Sequence, residues 1–233
     1  LEDSITEYNS LIRTFPNSPL PYYSIGQVYL RTVNYNKAVE NFNKAIVINP
    51  YEKEKYSKSI TSISQRLAKS GDDKFRIREF DEALQLYLEA IAYNPTFVAV
   101  LYRATNVYQQ IRDYDNAKIF AEKTLLYDPY HYKAMKTLGD LYYKLGDVNN
   151  SMDFYNKSIN TNPQYYKSYY SLSKILNEQG KSAEAISSLD KALSINPKYD
   201  KAYILLGVIY SENSRYEDAI YNFNKALDID NKN

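Results

Sequence analysis

Acid–base chemistry needs titratable groups that converge, and the chain offers one histidine, His131, in the run Pro129-Tyr130-His131-Tyr132. A lone histidine in a connection of that kind is expected to decorate the surface. Cysteine is absent, so there is neither a disulfide framework nor a thiolate metal site. Carboxylates such as Asp72-Asp73, Asp113 and Asp115 fall at expected helix ends and turns, where capping and solvation account for them. No HExxH, Walker, GxSxG or calcium-loop pattern occurs, so neither a cofactor nor catalysis is expected. The residues with a spacing of their own suit binding: Lys133, Lys167 and Lys201 recur at one constant interval in a chain holding 27 tyrosines. Ammonium groups steer acidic ligands, and phenol rings supply apolar contact area.

That interval, 34, belongs to the whole chain. Six of the eight prolines, Pro16, Pro50, Pro95, Pro129, Pro163 and Pro197, stand at successive intervals of 34, 45, 34, 34 and 34, and one further step of 34 reaches Asn231. A fixed period of this length marks a repeat array, with the 45 equal to one repeat plus an 11-residue insert. Complete repeats then cover 19–52, 64–97, 98–131, 132–165, 166–199 and 200–233, with a half repeat at 1–18 and the insert at 53–63. Within 19–52, Tyr22, Ile25, Gly26 and Tyr29 mark one apolar helical face, and Ala38, Phe42 and Ala45 mark another. Turn residues Val33-Asn34-Tyr35-Asn36 separate them, and Asn49-Pro50 stops the second, because proline disfavours helical dihedrals in the residue before it. Each unit is a helix A, turn, helix B hairpin, and the array is one all-α domain.

Composition fits a soluble folded chain: 44% hydrophobic, 24% charged, formal net charge +1, and no apolar run near the roughly 18 residues of a membrane span. Absence of cysteine suits cytosol and periplasm alike, and no targeting pattern is present. The chain opens inside a helical pattern and ends where a repeat closes, so it is expected to be a segment of a longer protein.

The residues Tyr22, Ile25, Gly26, Tyr29, Ala38, Phe42, Ala45 and Pro50 resemble the tetratricopeptide (TPR) signature. Tyr203, Leu206, Gly207, Tyr210, Ala219, Phe223 and Ala226 repeat it in the last unit, as do Leu138, Gly139, Tyr142, Tyr155 and Pro163 in the fourth. The resemblance implies a right-handed superhelical solenoid whose concave wall is lined by helices A. Small residues at the crossing, Gly26, Gly71, Gly139 and Gly207, let backbones approach while large aromatics fill the space around them. Departures are local, and looser packing is expected where Ser151 and Ser158 replace alanine, where Thr105, Ala121 and Thr124 stand in the third unit, and where Ser173 replaces glycine.

On that reading ten basic residues against four acidic ones face the groove. The expected peptide-binding residues are Tyr23, Arg31, Phe75, Arg76, Tyr102, Arg103, Lys133, Lys136, Tyr143, Lys167, Tyr170, Lys174 and Lys201. They suit an acidic peptide or partner segment held by a non-catalytic scaffold; the alternative at the same positions is an ordinary solvated face. A carboxylate clamp of the chaperone-binding TPR kind is disfavoured by Asp72 and Thr137, and the asparagine ladder of the O-glycosyltransferase kind is missing. A substrate-recruiting arm of a larger enzyme is the second reading. Single-stranded RNA is a minor third, opposed by near-neutral charge and the groove acids.

The insert holds no proline or glycine, and 11 residues make about three helical turns, which preserves phase. Tyr56, Ile60, Ile63 and Leu67 then form one stripe on a single helix A from about 53 to about 78. The alternative is a separate capping helix broken at Ser70-Gly71-Asp72. A projecting stripe at Tyr56, Ile60 and Ile63 is expected to contact a partner helix or a second copy of the chain.

Overall fold

Every A-to-B turn is built on one residue in the left-handed backbone region, at the same place in the repeat: Val33, Arg78, Arg112, Gly146, Gly180 and Ser214, with φ from 59° to 79°. Four of the B-to-A joints share a second device. The side-chain oxygens of Asn49, Asp128, Asn162 and Asn196 accept from the amide two residues on, at 3.0–3.2 Å, arching over the proline that has no N–H to offer. At Pro95 the Thr96 hydroxyl donates to Asn94 instead, at 3.2 Å. Local chemistry thus sets both joints of the hairpin.

The computed structural model describes residues 2–230, so the ladder step at Asn231 lies outside the described residues. Among these residues the chain forms thirteen α-helices and no strand. They are α1 (Glu2–Thr14), α2 (Pro19–Arg31), α3 (Tyr35–Ile48), α4 (Lys53–Arg76), α5 (Phe80–Tyr93), α6 (Val98–Gln110) and α7 (Tyr114–Tyr127), then α8 (Tyr132–Lys144), α9 (Val148–Thr161), α10 (Tyr166–Glu178), α11 (Ser182–Ile195), α12 (Asp200–Glu212) and α13 (Tyr216–Asp230). A short 3-10 turn, Pro50–Glu52, precedes α4. Two compact units divide the chain, Leu1–Asp113 and Tyr114–Asn233. The first holds the hairpins α2/α3 and α4/α5 between α1 and α6. The second opens with α7 and continues through α8/α9, α10/α11 and α12/α13.

Packing at the hairpin crossings is steric. A Cβ on Gly26, Gly71, Gly139 or Gly207 would stand 2.5–2.6 Å from a ring carbon of Phe42, Tyr87, Tyr155 or Phe223 respectively, each sixteen residues further on. Where the crossing residue is Ser173, the residue sixteen positions later is Leu189, which has no ring. The looser packing expected at Ser151 and Ser158 is not found. Both are fully buried, and their hydroxyls donate to the carbonyls of Gly139 and Tyr132 at 2.8 Å, with Ser158 also 2.7 Å from the Ser168 hydroxyl. Inside helices, Thr105, Thr124 and Ser173 return their hydroxyls to the preceding turn.

The insert yields one continuous helix. α4 begins at Lys53, one full repeat interval after Pro19 at the start of α2, as a regular helix A would, and then runs 24 residues where α2 has 13. Its first half covers the α2/α3 hairpin: the Tyr56 ring lies 5.2 Å from that of Tyr23, and Gln27 Nε2 donates to Ser59 Oγ at 3.1 Å. Its second half pairs with α5 through Gly71 and Tyr87. Relative to the first hairpin, α5 is therefore displaced by about three turns, roughly 16 Å, and its last residue, Tyr93, donates to Asn36 at the start of α3. The expectation of a stripe projecting free at Tyr56, Ile60 and Ile63 is corrected here. Tyr56 is 2% exposed, Ile63 is fully buried and Ile60 is half-buried, because the apolar face of α2/α3 needs a covering helix and the start of α4 provides it.

Candidate functional site

In the unit Tyr114–Asn233, helices α8, α10 and α12 present their polar residues in register. All three acids that sequence placed on this wall are engaged. Asp140 accepts from the Tyr155 hydroxyl at 2.8 Å and pairs with Lys136 Nζ one turn away at 2.5 Å. Glu178 accepts from the Tyr143 hydroxyl, and Glu212 accepts from Asn177 Nδ2 at 3.0 Å, both across a separation of 35 residues. These bonds tie each helix A to the next. Burial, reinforced by Asp140, pushes the Tyr155 hydroxyl well above the usual phenol range, and the bond to Glu178 raises that of Tyr143, so both remain donors at neutral pH.

The lysines behave otherwise. Lys133, Lys167, Lys174 and Lys201 are exposed, and none forms an ion pair among the described residues. Lys174 Nζ stands 5.3 Å above the Tyr143 ring. Lys133 and Lys167 are second residues of α8 and α10, each within 6.0 Å of the ring just before it, that of Tyr132 or Tyr166.

Those two rings belong to a ladder that sorting tyrosines by repeat consensus passes over. Tyr132 meets Tyr165 at 4.9 Å and 67°, Tyr166 meets Tyr199 at 4.8 Å and 68°, and Tyr165 lies 6.5 Å from Tyr166. Tyr170, expected on the wall, joins it by an edge contact with Tyr199 at 5.2 Å and 78°. All five rings are half-buried. The available signal was the recurrence, at the repeat interval, of Tyr132-Lys133, Tyr165-Tyr166-Lys167 and Tyr199-Asp200-Lys201 just after the ladder prolines.

In the unit Leu1–Asp113 most of the corresponding positions are taken up by ring packing or by ion pairs. Tyr23 sits between the rings of Phe42 and Tyr56 at 5.6 and 5.2 Å, so its expected role as an open groove aromatic is corrected to a core contact. Phe75 packs on Phe80 across the α4/α5 turn at 5.5 Å. Arg76 pairs with Asp73 at 2.8 Å, and Arg103 Nε with Asp72 at 2.9 Å, where Asp72 also accepts from the Tyr87 hydroxyl at 2.7 Å. Arg31 is exposed at the end of α2, and Tyr102 is half-buried on α6.

His131 is not surface decoration. It is half-buried and caps α8, its Nδ1 accepting from the Ala134 amide at 3.1 Å. Burial lowers its pKa below the ordinary value of 6.5, and Asp128 opposes that shift while Lys133 adds to it. Among the described residues no group of three or more His, Cys, Asp or Glu could hold a metal, and no helix is long and apolar enough to cross a membrane.

Three family profiles match parts of this array. Two are tetratricopeptide-repeat profiles, over residues 21–52 and 164–232, and the third is anaphase-promoting complex, cyclosome, subunit 3, over 110–192. The chain is a tetratricopeptide-repeat protein. Solved TPR-type structures share its fold. The crystal structure of MamA is 26% identical and covers 70% of this chain and 95% of its own, with TM-score 0.60. PilW, described as a widely conserved type IV pilus biogenesis factor, is 19% identical over 72% of this chain and 77% of its own, with TM-score 0.65. YrrB, described as a TPR protein with an unusual peptide-binding site, is 23% identical over 82% of this chain and 93% of its own, with TM-score 0.55. No curated protein matches the chain. As an all-α TPR solenoid the chain is a protein-interaction scaffold.

Proposed function

We propose that this TPR chain is a non-catalytic scaffold that holds an acidic peptide or partner segment on the helix-A wall of the unit Tyr114–Asn233. One observation carries the reading: Asp140, Glu178 and Glu212 are tied up by Lys136, Tyr155, Tyr143 and Asn177, while Lys133, Lys167, Lys174 and Lys201 stay exposed without ion pairs among the described residues. Lys136 offsets the charge of Asp140, while Glu178 and Glu212, held by neutral donors, keep theirs; the four lysines still leave this wall a surplus of positive charge over those two acids in a chain of formal net charge +1. Half-buried tyrosines beside these lysines give a ligand apolar area to cover.

Fluorescence anisotropy with labelled acidic, neutral and basic peptides of equal length tests it, using the chain and a variant carrying Lys133→Glu, Lys167→Glu and Lys201→Glu. The acidic peptide is expected to bind best, to weaken as salt shortens the Debye length, and to lose about tenfold or more in the variant, roughly 1.4 kcal/mol. Because the three lysines are exposed, the variant should keep its stability within about 0.5 kcal/mol. Equal affinity for acidic and neutral peptides, or salt-insensitive binding, overturns the proposal.

A further inference from the structure

In the unit Tyr114–Asn233 the hairpin α10/α11 shows what covers a helix B. Over α11 lies α12, whose Ala202, Leu206 and Ile209 share one buried cluster with Leu189, while Ile186 and Leu193 pack against it. One repeat on, the places of Ile186, Leu189 and Leu193 are held on α13 by Ile220, Phe223 and Leu227. These are 60%, 36% and 58% exposed where Leu189 is 0%, so the same apolar face lies open on α13. Beside it is a cavity of about 320 Å³ lined by Asp200, Ile204, Phe223, Ala226, Leu227 and Asp230.

The preceding repeats show what fits that cavity. One repeat earlier, Asp200, Ile204, Phe223 and Asp230 correspond to Tyr166, Tyr170, Leu189 and Asn196. There the Tyr199 ring lies 4.8 Å from Tyr166 and 5.2 Å from Tyr170 and packs against the cluster of Leu189, while its backbone N–H donates to the Asn196 carbonyl at 3.1 Å. Tyr165 repeats the arrangement, 4.9 Å from Tyr132 and with its N–H on the Asn162 carbonyl at 3.0 Å. Each of these tyrosines is the N-cap of a helix A. The rim of the α13 cavity adds charge. Asp200 and Asp230 replace a tyrosine and an asparagine, and neither forms an ion pair among the described residues. Asp228 and Asp230 also stand in the last turn of α13 without a base, at the helix end that disfavours acids. A cation, together with the positive end of an arriving helix, relieves both.

The joint differs too. Asn49, Asn94, Asp128, Asn162 and Asn196, each followed by proline, lead a helix B back into the next helix A, whereas α13 is still helical at Asp230 and Asn231 takes the place of proline. We infer that a partner chain covers this face with a basic amphipathic helix. The helix has an aromatic N-cap residue, a lysine or arginine beside it, and small, leucine and aliphatic residues spaced as Ala202, Leu206 and Ile209. Its ring enters the cavity, its apolar residues cover Ile220, Phe223 and Leu227, and its base meets Asp200 and Asp230. The surface uses none of the lysines of the acidic-peptide wall and takes a partner of opposite charge.

A labelled synthetic peptide of residues 197–213 is the probe, because Lys198-Tyr199 followed by the α12 sequence has the inferred pattern. Anisotropy with the whole chain should show saturable binding. Leu227→Glu, at an exposed site, should weaken it at least about tenfold, as should Tyr199→Ala in the peptide. Asp200→Asn combined with Asp230→Asn should weaken it about threefold or more. Circular dichroism checks that both protein variants keep their helices. Binding of acidic peptides should be unchanged by Leu227→Glu, so the two sites fail or stand separately. Absence of binding, equal affinity for the chain and Leu227→Glu, or a peptide indifferent to Tyr199→Ala overturns the inference. Sedimentation showing self-association that Leu227→Glu breaks also overturns it, by making a second copy of the chain the occupant.

Discussion

The helix-A walls of the two units are built from one repeat template and put it to different uses. In the unit Leu1–Asp113, Tyr23 and Phe75 fill aromatic contacts within the unit, and Arg76 and Arg103 close ion pairs with Asp73 and Asp72. In the unit Tyr114–Asn233, four lysines are exposed, Lys133 and Lys167 of them beside the half-buried tyrosine ladder, and Glu178 and Glu212 are held by bonds between helices. Position in the repeat therefore does not fix a role. What fixes it is the neighbour: the extended α4 places Tyr56 against Tyr23, whereas in the regular hairpins of the second unit the tyrosines at the helix starts meet one another.

Four sets of substitutions break or sharpen that contrast. Tyr56→Ala should have the largest effect, since it empties the contact between α4 and the first hairpin; a loss of about 3–5 kcal/mol is expected in denaturant unfolding. A loss below about 1 kcal/mol would mean that the start of α4 is an open surface after all. Next come Tyr87→Phe and Tyr155→Phe, which remove equivalent tyrosine–aspartate bonds from the two units. Each should cost about 1.5 kcal/mol. Similar costs would show that this staple belongs to the template, and unequal ones would extend the contrast to it.

A smaller effect is confined to the second unit and depends on pH. His131 caps α8 in its neutral form, and its folded pKa is depressed, so the unfolded chain takes up the proton first as pH falls. Stability is full above about 6.5 and declines below it, by about 1 kcal/mol at most. The charged ring loses its acceptor and meets the positive end of the helix dipole. His131→Asn, which caps without titrating, should flatten stability between about pH 7 and pH 5; a slope unchanged by the substitution would assign it to other groups. Smallest is Val33→Gly in the first unit. Val33 is β-branched at φ 60°, where the second unit has Gly146 and Gly180. Relief of that backbone should raise the melting temperature, equivalent to about 0.5–1 kcal/mol, whereas Gly146→Val should lower it.

Much of the fold is legible because repetition multiplies weak signals. One proline or one glycine says little, but a proline closing every repeat before the last, and a glycine sixteen before an aromatic ring in four of them, set hairpin length, crossing and joint along the array. Composition likewise showed that the serines at 151 and 158 are small, without showing that their hydroxyls would find carbonyls across the hairpin. Phase preservation across the 11-residue insert was legible too, since three turns return a side chain to the same face. Which structure would meet that face was not, because burial is a property of two surfaces and sequence periodicity describes one.

The amino-acid order by itself determined a helical repeat array, its joints, the preserved phase of its 11-residue insert and a surplus of basic residues on helices A. Only the tertiary structure decided that Tyr56 and Ile63 lie inside, that Asp72, Asp140, Glu178 and Glu212 are held by other side chains, and that tyrosines from successive repeats meet edge to face. The physical reason is range. Turns and helix faces are set by residues within a few positions of one another, but a charge is free or spent, and a ring open or covered, according to residues up to 35 positions away that only the stacking of helices brings within bonding distance.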